Sequence, residues 1–377
     1  MTVSGQAETT TVIPLVDVRA AHAEVAAEIQ AGFDEVMRSA AFVKGEVAAA
    51  FEREYAAFTG VEHCVGVANG TDALELALRA AEVPAGAEVI MPANTFVATA
   101  EAVVRAGARP AFADVDPDYL LLDPGSLQAA LNQQTGAVIP VHLFGQMAPM
   151  TAVADVTARH GTVIIEDAAQ AHGATQGGRP AGSFGLLAGV SFYPGKNLGA
   201  YGDAGAVLTG SAEHARRVRL FGDYGSERRY EHLTIGFNSR LDTLQAVVLR
   251  AKLRGLAADN QARRQAASRY AELLADLPDI ILPRTAPGNE HVWHLYSIRI
   301  PRRDDVLRCL HDEGIGAGIH YPVPVHLQPA FRHLGYGPGD FPVAEAAARQ
   351  LLSLPLYPQI THEQQARVAD AVRRALT

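Results

Sequence analysis

Short, uninterrupted apolar runs alternate with stretches of helical composition through the first two thirds of the chain. Residues 64–68 (CVGVA) form one such run and end at Asn69-Gly70-Thr71-Asp72, after which residues 73–81 have helical composition. The same reading predicts a strand over 88–91 and a helix over 98–106. It then gives an apolar segment over 137–141 before the turn at Phe144-Gly145, a helix over 150–159, and a strand over the β-branched run 162–165 (TVII). Parallel strands with helices on both faces read as continuous apolar runs rather than as alternations. The pattern therefore predicts an α/β fold with a largely parallel sheet.

Glycines thicken between Gly173 and Gly210, and residues 189–193 and 205–208 read as short strands between tight turns. From Leu241 the chain is helical through Arg254 and on to Leu274, with Leu244, Val247, Val248 and Leu253 spaced for one buried stripe. A domain boundary is expected inside this stretch. Beyond it come a strand over 292–300, a helix over 304–313, a strand over 318–321, and helices near 343–353 and 362–376. The expected organisation is a flexible tail over 1–12, a large domain over 13–255, and a smaller C-terminal α/β domain over 256–377. A length of 377 residues suits two such units.

Composition narrows the function classes. Hydrophobic residues make up 48% of the chain and charged residues 19%, as in folded globular proteins. The formal net charge of −9 argues against a general nucleic-acid binder. Two cysteines, Cys64 and Cys309, make no disulfide framework. With no export signal in view, a cytoplasmic location is expected. No apolar run reaches the roughly 18 residues of a membrane span, so no membrane partner is expected. Of the 32 basic residues only Lys44, Lys196 and Lys252 are lysines, so chemistry that needs a lysine amine has three candidates.

Three places carry candidate chemistry. Asn69-Gly70-Thr71-Asp72 joins a strand to a helix; the glycine admits close backbone approach, Thr71 can cap the helix, and the first amides face outward at a positive dipole end, as a phosphate requires. Asp167 follows TVII at the carboxyl end of a strand, where ligands of α/β sheets gather, and Gln170 lies three residues on. Lys196 sits in the glycine-containing turn Ser191-Phe192-Tyr193-Pro194-Gly195-Lys196-Asn197. Taken singly, these are also an ordinary capped turn, a solvated acid and a surface lysine. Taken together they are what pyridoxal 5′-phosphate needs: an amine for its aldehyde, a carboxylate for its ring nitrogen and a helix N-terminus for its phosphate. Lys44 and Lys252 read as surface charges, and the pairs Arg228-Arg229 and Arg263-Arg264 as solvated faces. No metal site is expected: His291 and His294 enter a strand pattern in which residues three apart face opposite ways, and no Cys/His spacing matches a zinc module. No G-x-S-x-G elbow points to a serine hydrolase.

The segments GVANGTDALELAL, MPANTFVATAEAV, IIEDAAQAHGA, SFYPGKNLGAYGDAGAV and GFNSRLDTLQA occur in that order. As a set they resemble the sugar aminotransferases of the DegT/DnrJ/EryC1/StrS family, from about Ile13 to the C-terminus. The resemblance implies the PLP-dependent transferase fold type I (aspartate aminotransferase-like), with a mixed, mostly parallel sheet in the large domain. It implies a Schiff base on Lys196, Asp167 on the pyridinium nitrogen, Gln170 beside the ring, Phe96 stacked on it, and Gly70, Thr71 and Ser191 on the phosphate. Asn238 would reach that phosphate from the other subunit of a homodimer, while Arg240, His320 and Tyr321 would meet the nucleotide sugar. Phe237, Leu241 and Asn238 equally read as core and a helix cap.

The implied reaction passes an amine from L-glutamate to the cofactor, leaving pyridoxamine phosphate, and then to a keto sugar. The stretch FYPGKNLGAYGDAGA resembles members acting on dTDP-linked 3-keto-6-deoxyhexoses, in antibiotic or glycan pathways. The alternatives are a 4-aminotransferase, a dehydratase of the same family, and a catalytically silent binding paralogue. Lys196 argues against the dehydratase, and retention of Lys196, Asp167 and Gln170 together argues against the silent paralogue.

Overall fold

The fold is described from a computed structural model, for residues 12–376. The expected tail over 1–12 lies outside the described residues except for Val12, which is exposed. A seven-stranded sheet forms the centre, in the order His63–Val67, Gly205–Thr209, Leu187–Ser191, Val163–Asp167, Thr135–Val138, Glu88–Pro92, Arg109–Ala113. Gly205–Thr209 runs antiparallel to both of its neighbours, and the remaining pairings are parallel. The sheet is thus mixed and mostly parallel, as expected. The edge strand Arg109–Ala113 had no clear signal in the sequence: it opens on an exposed arginine and carries Pro110, which an edge strand tolerates.

Helices close the sheet. Gly70–Ala80 is buried over nearly its whole length, and its Leu74, Leu76 and Leu78 pack in one core with Val89, Met91 and Ile165 of the strands. Each such side chain removed from water contributes about 2 kcal/mol. Val18–Ser39 starts on Asp17, whose carboxylate accepts from the amides of Arg19 and Ala20. Its Ile29 and Val36 pack on Val247 and Val248 of Thr243–Leu253.

The long helical stretch divides at Arg254-Gly255 into Thr243–Leu253 and Leu256–Leu273. A second core follows, in which Tyr270, Tyr296, Ile298, Val306, Leu352, Leu354 and Val368 meet Ile13 from the opposite end of the chain. Three expectations need correction here. The strand begins at Tyr296, not Val292, so His291 and His294 lie in irregular chain and both are buried. Residues 318–321 form no strand; Gly318 makes a single bridge to Ser353. The helix expected through 353 stops at Gln350, and Leu351–Leu354 pairs antiparallel with Tyr296–Arg299. Local composition there is helical, but all four residues are buried and the pairing partner decides. Val325, Phe331, Phe341 and Ala344 pack into the first core rather than the second, so the C-terminal third serves both. Among the described residues, no helix is long and apolar enough to cross a membrane.

Candidate active site

A cavity of about 750 Å³ opens at the carboxyl ends of the central strands, where α/β sheets bind ligands. Gly70, Thr71, Phe96, Asp167, Gln170, Ser191, Lys196, His320 and Tyr321 all line it. The chain thus brings nine of the eleven expected site residues to one place.

Two glycines make the phosphate end possible. A Cβ on Gly70 would stand 2.6 Å from the Cβ of Ser191, and one on Gly205 2.4 Å from the carbonyl of Asn69. The start of helix Gly70–Ala80 therefore seats directly on the end of strand Leu187–Ser191. The cap is Asn69, whose Oδ1 accepts from the Asp72 amide at 2.8 Å, and not Thr71 as expected. Thr71 lies inside the first turn, against the cavity.

Asp167 ends strand Val163–Asp167 and is buried. Its Oδ2 accepts from the Thr99 hydroxyl at 2.8 Å, and Thr99 is paired with Thr95 at 2.8 Å. Its Oδ1 accepts from the Ala169 amide at 3.1 Å. Burial raises its pKa; Thr99, the Ala169 amide and the charge of Lys196 pull the other way. The two threonines were not singled out in the sequence. Their spacing of four across a helix start, inside ANTFVAT, is the signal that could have found them. Glu166, next in sequence, faces the opposite side of the strand. It accepts from the amides of Gly182, Phe184 and Gly185 and pairs with His142 at 2.7 Å. Burial pushes its pKa up, but these donors outweigh burial and hold it below the usual carboxylate range.

Lys196 projects from a turn closed by two backbone bonds of 2.8 Å, Lys196 N–H to the Tyr193 carbonyl and Ala200 N–H to the Phe192 carbonyl. Burial lowers its pKa to about 8, against the opposing pull of Asp167. Lys44 is an exposed cation paired with Asp223 at 2.6 Å, as expected. Lys252 differs from expectation: it is half-buried, burial lowers it to about 8, and it donates to the Gly199 carbonyl at 2.6 Å, at the end of the Lys196 turn.

Phe96 keeps half its surface exposed, and its ring lies 5.2 Å from that of Tyr321. Gln170 is held at both ends, accepting from the Phe144 amide at 2.7 Å and donating to the Tyr321 hydroxyl at 3.1 Å. His320 meets the Ser353 hydroxyl at 2.8 Å, and burial lowers its pKa to about 4.

Asn238 and Arg240 do not reach this cavity within one chain. Asn238 is exposed on the strand-like stretch beside Asp223. Arg240 donates to Asp223 at 2.8 Å and lines a separate cavity of about 590 Å³ with Lys44, Glu52 and Arg219. Arg228 and Arg229 are exposed as expected, but Arg263 is buried, donating to the Leu356 carbonyl at 3.0 Å. The expectation failed there because an arginine within a helical stretch gives no sign of which side faces the core.

The residues present fit pyridoxal phosphate. A buried carboxylate has hydroxyl and amide donors, an amine is held at a lowered pKa, a helix start cleared by glycine can seat an anion, and an exposed ring offers its face. Such a site on this sheet defines a pyridoxal-phosphate-dependent enzyme of fold type I. The chain belongs to the DegT/DnrJ/EryC1/StrS aminotransferase family, whose sequence profile matches residues 23–373. It is 46% identical over 370 residues to a dTDP-3-amino-3,4,6-trideoxy-alpha-D-glucose transaminase of Streptomyces venezuelae, covering 98% of this chain and 97% of that protein. It is likewise 46% identical over 366 residues to a UDP-N-acetyl-3-dehydro-alpha-D-glucosamine 3-aminotransferase of Acidithiobacillus ferrooxidans, covering 97% and 98%. The crystal structure of S. venezuelae DesV in complex with a ketimine intermediate superposes with a TM-score of 0.94 at 46% identity, covering 97% of this chain and 98% of that one. The protein is a sugar aminotransferase.

Proposed function

We propose that the protein moves an amine from L-glutamate to C3 of a dTDP-linked 3-keto-6-deoxyhexose, giving a dTDP-3-amino-3,6-dideoxyhexose. The observation that carries the reaction type is the convergence of Lys196 and Asp167 on one cavity with the helix start at Gly70. Regiochemistry rests on the stretch FYPGKNLGAYGDAGA and on two relatives of equal identity, both named for C3. Those two names carry different nucleotides; the 6-deoxyhexose resemblance favours dTDP.

When bound, the cofactor supplies an aldehyde that captures amines and a ring that accepts the electrons left by a departing α-proton. Lys196 Nζ would hold that aldehyde between turnovers. Once free, the same amine would take the proton from the donor's α-carbon and deliver it to the carbon on the other side of the donor nitrogen, two bonds away. Asp167 would keep a proton on the ring nitrogen, and Thr99 keeps Asp167 oriented. Gly70, Thr71 and Ser191 would hold the phosphate, Phe96 would cover a ring face, and Gln170, fixed by Phe144 and Tyr321, would flank the ring. His320 and Tyr321 form the sugar side of the cavity. Asn238 and Arg240 lie outside their own cavity, so in this reading they serve the cavity of a second copy in a homodimer. Glutamate and sugar use the cavity in turn, so ping-pong kinetics are expected.

The test supplies ¹⁵N-labelled L-glutamate with dTDP-3-keto- and dTDP-4-keto-6-deoxyhexose in separate reactions and locates the label by NMR. Label at C3 from the 3-keto sugar is expected. Label at C4 only, or transfer to neither dTDP-linked sugar, would replace the proposed substrate.

A further inference from the structure

The turn that carries Lys196 is tied to the phosphate end of the site by one residue outside the cavity. Asn197, next to the lysine, is buried and donates from Nδ2 to the Val292 carbonyl and to Asn260 Oδ1, both at 2.9 Å. A carbonyl can only accept, so the amide orientation is fixed, and Asn197 Oδ1 faces His294 Nδ1 at 3.3 Å. Asn260, also buried, donates from Nδ2 to the His172 carbonyl at 2.8 Å. The His172 ring in turn donates from Nε2 to the Ser191 carbonyl at 3.0 Å. No side chain would fit between these groups: a Cβ on Gly173, whose φ is +86°, would stand 2.9 Å from Asn260 Nδ2. Asn260 lies on Leu256–Leu273, the first helix after the break at Arg254-Gly255, and does not line the cavity. One asparagine thus satisfies the lysine turn on one side and the segment leading to Ser191 on the other. Both asparagine side chains are paired through their oxygen and nitrogen, and linked buried bonds fix geometry more strongly than single ones do.

We infer that Asn260 is a positioning residue that sets how deeply Lys196 sits in the cavity, by holding the turn through Asn197 and the opposite wall through His172. The inference rests on Lys196 being the reactive amine. The ionisable groups around that amine are Asp167 on the central strand, His172, His294 and His320 on the surrounding segments, and Glu101, Asp203 and Tyr321 in the cavity wall. Burial is the largest influence on Lys196, so loosening the turn lets the amine toward water and raises its pKa.

The test is read on the cofactor-free full chain. Lys196 is acetylated with trace acetic anhydride across a pH series and quantified by peptide mass spectrometry. The midpoint reports proton affinity regardless of access. Wild type should titrate near 8. Asn260→Ala should move the midpoint up by about one unit, a roughly fivefold drop in free amine at pH 8. In the loaded enzyme, kcat should fall about tenfold with the KM for glutamate within about twofold. Gln261→Ala, an exposed neighbour on the same helix, should do neither. Asn197→Ala cuts the same link from the turn and decides the matter if Asn260→Ala does not fold. A folded Asn260→Ala or Asn197→Ala chain with an unmoved midpoint overturns the inference. Failure of the underlying reading shows separately, as cofactor retained covalently by Lys196→Ala.

Discussion

At the residue scale, three lysines are sorted by their surroundings rather than by charge. Lys196 and Lys252 are both held near pH 8 by burial, but only Lys196 lines the cavity with Asp167. Below its pKa the amine is protonated and cannot attack an aldehyde. Capture of pyridoxal phosphate by the cofactor-free chain should therefore quicken as pH rises through about 8 and then level off, as stopped-flow absorbance would record. A flat rate between pH 6.5 and 9.5 would contradict this. Asp167→Asn removes the charge that keeps the ring nitrogen protonated while leaving size and the Thr99 contact intact. Its kcat should fall about 10²–10³-fold with cofactor still bound. Lys196 was legible because lysine is so scarce in this chain, and Asp167 because it ends a β-branched run. Thr99 was hidden since threonine near a helix start reads as a cap, and its bond to a residue 68 positions away has no local trace.

At the element scale, the decisive join is between helix Gly70–Ala80 and strand Leu187–Ser191. Gly70→Ala would press a methyl group against the Ser191 side chain and Cα, so the helix start must withdraw. Equilibrium dialysis should show pyridoxal phosphate binding weakened by about tenfold, with the melting temperature lowered by a few degrees. Unchanged affinity would mean the helix start does not hold the phosphate. The sheet and its flanking helices could be read from apolar runs and glycine punctuation because burial on both faces leaves that mark. The segments misread, 318–321 and 351–354, take their state from distant residues: Leu351–Leu354 pairs with Tyr296–Arg299, and Gly318 meets it only at Ser353, contacts that no window of local sequence contains. The edge strand Arg109–Ala113 was missed for a local reason, since it opens on an exposed arginine and proline interrupts its pattern.

At the scale of the whole molecule, buried neutral histidines couple the site to stability. His172 and His291 are lowered to about 3 by burial, and His294 lies well below its ordinary value for the same reason. The unfolded chain takes up these protons near pH 6.5, whereas the folded chain does so only well below that, near 3 for His172 and His291. Stability therefore falls as pH drops below about 6.5, each histidine contributing up to about 1.4 kcal/mol per pH unit. Glu166, whose pKa is lowered, adds a loss in the same direction at more acid pH. Calorimetry should show the melting temperature declining steadily from pH 7 to 5, and an unchanged value would contradict the neutral assignments. The two cores share the C-terminal third of the chain, and His294 and His320 come from that third, while Asp167 comes from the sheet and Lys196 from the turn after strand Leu187–Ser191. The site is thus assembled from both ends of the sequence, which is why ordered motifs, rather than any one stretch, revealed it.

The most direct measurement incubates the chain with pyridoxal phosphate, fixes any covalent link with borohydride, and maps the labelled peptide by mass spectrometry, with and without prior L-glutamate. With only three lysines, the map is unambiguous. Label at Lys196 alone, lost when L-glutamate is added first, is the predicted result. Label at Lys44 or Lys252, or label at Lys196 that L-glutamate leaves in place, would contradict the assignment of Lys196 as the lysine of an aminotransferase acting on this donor.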